Sequence, residues 1–211
     1  TRALSSAASD VYKRQDNIQR TEKGITFNIK FSQGQIEAKL YMHGIHNITD
    51  ALLAFAAGIE SGISPEKAVQ GLKSYRPKGM RQNIVNVGNR IFYIDCFNAS
   101  VKSMKSAIDT LGELPIKKDG RRIAVLGDIA ELGDSSEIMH REVGKIVAKS
   151  NIDILICYGN FSSTIAEEAR INEKIKILHT ENLLELNELV KKNVKHNDAV
   201  LFKASHSTNL I

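Results

Sequence analysis

From Ile91 onward the chain alternates short apolar runs with segments whose apolar residues recur every three to four positions. No other feature narrows the fold as much. Residues 91–95, 122–127, 153–158, 175–178 and 199–202 read as strands. Arg122 to Gly127 is nearly continuously apolar between its ends, as a strand covered on both faces must be. Between these runs, Met104, Ala107, Ile108 and Leu111 lie on one helical face, as do Met139, Val143, Ile146 and Val147. Residues 162–170 form a short helix, and Leu183, Leu186 and Val190 mark another. Five strands joined by helical crossovers imply an α/β fold with a parallel, Rossmann-like sheet.

The earlier part has a different rhythm. Residues 24–31 and 35–42 alternate with period two around Ser32, Gln33 and Gly34, which predicts a hairpin with a glycine turn. Leu52, Leu53, Ala56 and Ile59 then fall on one helical face that Gly62 ends. Ser64, Pro65 and Glu66 open a second helix: serine caps, proline suits the first turn, and glutamate suits the positive end. Arg76, Pro77, Lys78 and Gly79 interrupt the pattern. The boundary is placed there, giving a segment over 16–78 and a domain over 79–211. Residues 1–15 have no apolar stretch of a secretory signal, and 10–15 look like a translated sequencing adapter. They are expected to be a non-native read-through segment. Both ends read as cut, so the expectation is a fragment.

Composition removes several function classes. With 42% hydrophobic and 25% charged residues, the chain is globular in type and not a disordered polyampholyte. No apolar run approaches the roughly 20 residues of a membrane helix. Cys96 and Cys157 sit inside apolar runs and read as reduced core thiols of a cytosolic protein. The net charge is +5, and two of those charges belong to residues 1–15. The remaining cations are scattered without interleaved aromatics, so nucleic acid is not an expected partner.

Ligands of open parallel sheets meet the carboxyl ends of the strands. Those ends are Asp95 to Asn98, Gly127 and Asp128, Gly159 and Asn160, and Lys203 to Ser205. All are polar or glycine, which fits either ligand contact or ordinary loop and capping chemistry. Asp128 and Glu131 could form an acid–base pair or stand as solvated carboxylates ahead of a helix. His140 borders the apolar stripe of its helix and reads more simply as a hydrogen-bonded structural histidine. His43 and His46 lack a third zinc ligand. The 211 residues contain neither GxGxxG nor GxxxxGK[ST].

Several motifs, in order, resemble the Mur ligases. They are Gly44, His46, Asn47 and Asp50; then Gly79 and Arg81; then Asp95, Cys96, Phe97 and Asn98. Leu126, Gly127, Asp128, Glu131, Leu132, Gly133, Ser136, His140 and Gly144 follow, and Lys203, Ala204 and Ser205 close the series. The stretch from Leu126 to Gly144 points to the branch that adds D-alanyl-D-alanine to a UDP-N-acetylmuramoyl-tripeptide. The resemblance implies the end of a central ATPase domain over 16–78 and a truncated Mur ligase C-terminal domain over 79–211. It implies a cytoplasmic, monomeric bacterial parent enzyme using ATP and Mg2+ in peptidoglycan synthesis. There a peptide carboxylate would be activated as an acyl phosphate and attacked by an amine. The fragment alone, without a P-loop, is expected to be inactive. By position, the resemblance gives Asn47, Arg81, Asp95 and Asn98 to ATP, and Asp128, His140, Lys203 and Ser205 to substrate. No metal ligand is assigned. The family usually carries Asn at Asp50, Tyr at Phe97, Pro at Val101 and Arg at His206. The last exchange replaces a fixed bidentate cation by a pH-dependent one. Alternatives at this level are another Mur-type, folylpolyglutamate-type or cyanophycin ligase, a non-catalytic nucleotide-binding module, and a signalling receiver domain.

Overall fold

A computed structural model of the chain describes residues 15–21 and 23–211, so most of the expected read-through segment lies outside the described residues. The described chain forms two compact units, one ending at Pro77 and one beginning at Lys78.

In the first unit, β1 (Gln15–Thr21), β2 (Gly24–Phe31) and β3 (Gly34–Leu40) form an antiparallel sheet in that order. The hairpin of β2 and β3 is the expected one. Its inward residues Ile25, Phe27 and Ile29 are fully buried, with Ala38 and Leu40 opposite. Gly24 has a φ of +131°, and a Cβ there would meet the Leu40 carbonyl oxygen, so no other residue fits. The alternation-based reading did not extend to β1, whose sequence QDNIQRT has one apolar residue and carries a bulge. Helix α1 (His46–Glu60) packs Ile48, Ala51, Leu52, Phe55 and Ala56 into this core. Leu53, expected on the buried face, is instead about half exposed. Helix α2 (Pro65–Ser74) starts as read, with the Ser64 hydroxyl accepting from Lys67 N–H. Its Ala68, Val69 and Leu72 pack against the same core.

The second unit is a six-stranded sheet. Its strands are β4 (Asn83–Val87), β5 (Arg90–Asp95), β6 (Arg122–Gly127), β7 (Ile154–Tyr158), β8 (Lys176–Thr180) and β9 (Ala199–Lys203). The order across the sheet is β4-β5-β9-β6-β7-β8. The five expected strands are parallel; β4 adds an antiparallel edge. Helices α3 (Val101–Glu113), α4 (Ser136–Ala148) and α5 (Ser162–Ala169) cover one face, over Tyr93, Ala124, Leu126, Leu155, Cys157 and Leu201. Helix α6 (Leu183–Asn193) buries Leu186 on the other face with Ile123, Val125, Ile154, Ile156 and Val200. Alternate residues of β6, β7 and β9 thus serve opposite layers, which is why these strands are apolar throughout. No helix among the described residues is long and apolar enough to cross a membrane.

Both cysteines are buried and free. Burial pushes the Cys96 thiol up to about 11 and raises Cys157 as well. Neither should react with a thiol-specific reagent at pH 8 in the native chain, and both should react in urea; rapid native labelling would contradict this packing. Below pH 9 the Cys96 proton is held in both states, whereas from about 9 to about 11 the unfolded chain loses it first. Stability therefore falls across that window.

Candidate active site

Strand β9 sits between β5 and β6, although α3 carries the chain directly from β5 to β6. The connections after β5 and β6 run over one face, while the segment after β9 turns to the other, where Leu210 is buried. The carboxyl end of β9 is therefore a place where neighbouring connections leave by opposite faces, as they also do between β7 and β8, and open α/β sheets hold ligands at such switch points.

Asp95 and Lys203 end their strands side by side, paired in the parallel register. Lys203 Nζ lies 2.7 Å from Asp95 Oδ2 and is fully buried. It also donates to the Asp95 carbonyl at 3.3 Å and the Asn98 carbonyl at 2.9 Å. The other carboxylate oxygen, Oδ1, accepts from Gln82 N–H at 3.2 Å. Gln82 adopts a left-handed φ of 45°, which costs a residue with a Cβ roughly 1 kcal/mol, so its contact is held by the surrounding structure. Next to it, the Arg81 guanidinium lies 3.6 Å above the centre of the Phe97 ring. His206 also stacks on Phe97, at 6.1 Å and 20°. Arg81, Phe97, Asn98 and His206 are all exposed. Asn98 Oδ1 accepts from Ala99 N–H at 2.8 Å, and the Ser100 cap with Ser103 then opens α3.

The neighbouring crevice, after β6 and β7, is organised by Asp128. Its Oδ1 accepts from Ser162 N–H at 2.7 Å and its Oδ2 from Phe161 N–H at 3.3 Å, so the carboxylate caps the start of α5. Gly159, at φ +115°, leaves the space the carboxylate occupies. His140 is wholly buried. Ile129 N–H donates to its Nε2 at 3.0 Å, which puts the ring proton on Nδ1, 2.7 Å from the Ser136 carbonyl. The ring thereby ties the loop after β6 to the first turn of α4. Met139, expected on the inner stripe, faces outward, and His140 and Gly144 take the inner face with Val143 and Val147. Ser205 links β9 to the same loop: its Oγ accepts from Ala130 N–H at 2.9 Å, and its N–H donates to the Asp128 carbonyl at 3.1 Å.

The expected residues thus fall into two groups. Asp95 and Asn98 lie on the turn after β5, which Arg81 meets at Phe97; Arg81 and Asn98 are exposed, and the Asp95 side chain keeps 15% exposure. Lys203, Ser205 and His140 are buried and spend their polar atoms on the loops that form the mouth, with Asp128 half-buried between the groups. Asn47 belongs to the first unit, where it is buried on the opening turn of α1 and donates to the His43 carbonyl at 2.6 Å. The sequence reading places Phe97 and Gly159 at ligand-facing strand ends without giving them a role, and it does not single out Gln82. Gly159 had a readable signal, a glycine directly after an apolar strand, and Phe97 had one in its aromatic ring next to Asp95. Among the described residues no three His, Cys, Asp or Glu side chains gather as a metal cage would require.

Comparison with known proteins gives the family. Residues 80–206 match the family described as Mur ligase, glutamate ligase domain. The UDP-N-acetylmuramoyl-tripeptide–D-alanyl-D-alanine ligase of Bacillus subtilis is 34% identical over an alignment covering 100% of this chain and 45% of that protein. The Haemophilus influenzae protein of the same name is 36% identical over 72% of this chain and 32% of its own length. Among solved structures, MurF from Acinetobacter baumannii superposes with a TM-score of 0.80 at 29% identity, covering 93% of this chain and 42% of that one. The chain therefore spans less than half the length of the relatives it matches.

Proposed function

Since the chain belongs to the Mur ligase family, we propose that it is the C-terminal portion of a ligase joining D-alanyl-D-alanine to UDP-N-acetylmuramoyl-tripeptide. The observation that carries this reading is that the segment Arg81–Gln82 reaches the carboxyl end of β5, where Gln82 N–H donates to Asp95 and the Arg81 guanidinium rests on Phe97. The Asp95 carboxylate, 15% exposed, keeps lone pairs that can accept from ribose hydroxyls, and the exposed Arg81 guanidinium on Phe97 suits the phosphate side of the same nucleotide. Asn98 lines that pocket, and Asn47, from the first unit, is proposed as an adenine contact of the complete enzyme. Residues 16–78 are proposed as the end of its ATPase domain and 79–211 as its C-terminal domain.

The proposed reaction transfers the terminal phosphoryl group of ATP to the peptide carboxylate and releases ADP. The amine of D-alanyl-D-alanine then attacks the acyl phosphate, a new amide bond forms and inorganic phosphate leaves. The proposed contribution of the described residues is to bind and orient the nucleotide and to shape the place where the dipeptide enters. Asp128, His140 and Ser205 contribute by holding the loops after β6 and β9. The enzyme is proposed to be cytoplasmic and monomeric.

The test is direct. The complete ligase should release phosphate from ATP only when both UDP-muramoyl-tripeptide and D-alanyl-D-alanine are present. The 211-residue chain, which has no GxxxxGK[ST] loop to hold a triphosphate, should release none. Turnover that depends on a single amino acid in place of D-alanyl-D-alanine would move the reading to another ligase of the family.

A further inference from the structure

We infer that Lys203 is a positioning residue for the Asp95 carboxylate and not a contact to the incoming dipeptide. A lysine ammonium carries three N–H donors and no acceptor. Here its nitrogen has three oxygen partners: Asp95 Oδ2 at 2.7 Å, the Asn98 carbonyl at 2.9 Å and the Asp95 carbonyl at 3.3 Å. The side chain has no exposed surface. No donor remains for a substrate carboxylate, and no path from solvent reaches the nitrogen while the turn after β5 is in place.

The arrangement fixes one oxygen of Asp95 from behind and leaves the carboxylate partly open in front. Oδ2 is held by Lys203 and Oδ1 by Gln82 N–H, so the plane of the carboxylate is set from two different elements. The two carbonyl bonds also lock the turn from Asp95 to Asn98, and with it Phe97, on which Arg81 rests. Lys203 thereby positions the carboxylate and, through the turn, the guanidinium. That these two groups meet a nucleotide rests on the function proposed above; that Lys203 holds them does not.

Two measurements separate these claims. In the first, the native 211-residue chain is acetylated with a limiting amine reagent and mapped by mass spectrometry. Lys203 should label about 100-fold more slowly than Lys191, whose side chain is 72% exposed, and D95A should raise its rate. Equal rates for Lys203 and Lys191 in the native chain would overturn the inference, whatever the chain's function. In the second, the complete ligase is compared with its K203M and K203R variants by ADP affinity and by the KM for D-alanyl-D-alanine. Both variants should weaken ADP by about tenfold or more, since neither a thioether nor a planar guanidinium can make three bonds from one buried point, and the dipeptide KM should stay within about twofold. A dipeptide KM raised by K203M and spared by K203R, with ADP unaffected, would return Lys203 to substrate contact. A wild-type enzyme that binds ADP but never turns over D-alanyl-D-alanine would refute the proposed function while leaving the Lys203 comparison readable.

Discussion

Asp95→Ala is expected to destabilise the second unit by about 3–5 kcal/mol, the range seen when one partner of a buried ion pair is removed. The size comes from what is left behind. Lys203 has no solvent exposure, whereas the Asp95 side chain retains 15%. Loss of the carboxylate strands an ammonium that water cannot reach. Loss of the lysine leaves a carboxylate that can still find some water, so Lys203→Met should cost less, about 1–3 kcal/mol for the charge-assisted bonds removed. The double variant should be more stable than Asp95→Ala alone, because deleting both charges removes the stranded one. Urea denaturation of the four proteins, followed through the transition of the second unit, measures the cycle. A single Asp95→Ala variant within 1 kcal/mol of wild type, or strict additivity of the pair, would mean that Lys203 is hydrated and that the pairing is not what holds the turn.

Lys203 also marks where sequence reading reaches its limit. Its position at the end of an apolar strand is legible, and so is the rule that strand ends carry the ligand chemistry. Its burial is not legible, because a lysine is almost never fully buried unless paired, and the pairing with Asp95 spans 108 residues of chain. The parallel strands were readable for the opposite reason: β6 and β7 are covered on both faces, so their whole length is apolar. The antiparallel edge β4 has the sequence NIVNV and little burial, and it could pass for loop. The misjudged helical faces have a related cause. Leu53 and Met139 fit an apolar stripe by spacing, but Phe55 and His140 are the residues that the neighbouring elements cover. A histidine enters that inner face because its two ring nitrogens meet one N–H and one carbonyl of the same loop and helix. The left-handed backbones of Gln82 and Glu131 had no composition signal, since neither residue type favours that conformation.

Gly159→Ala should be the other severe substitution, and its partner is again a carboxylate. A Cβ on Gly159 would lie 2.6 Å from Cγ and from both oxygens of Asp128, closer than packed atoms come, and the backbone there has a φ of +115°. Strain at such a backbone costs on the order of 1–3 kcal/mol by itself. The clash adds to it, because Asp128 cannot swing away without releasing Phe161 and Ser162 N–H at the start of α5. Removing Asp128 alone forfeits that cap, worth about 0.5–2 kcal/mol. In Asp128→Ala/Gly159→Ala the clash disappears while the backbone strain remains. The double variant should therefore cost less than the sum of the single variants, by about 1 kcal/mol or more. Because Asp128 also presents the carbonyl that receives Ser205 N–H, the single Gly159 variant should loosen the segment after β9 as well. Faster amide exchange at Ser205 and Ala130 in Gly159→Ala would report that. Unchanged exchange there, together with additive energies, would show that the two crevices move independently and that the mouth at β9 does not depend on the Asp128 carboxylate.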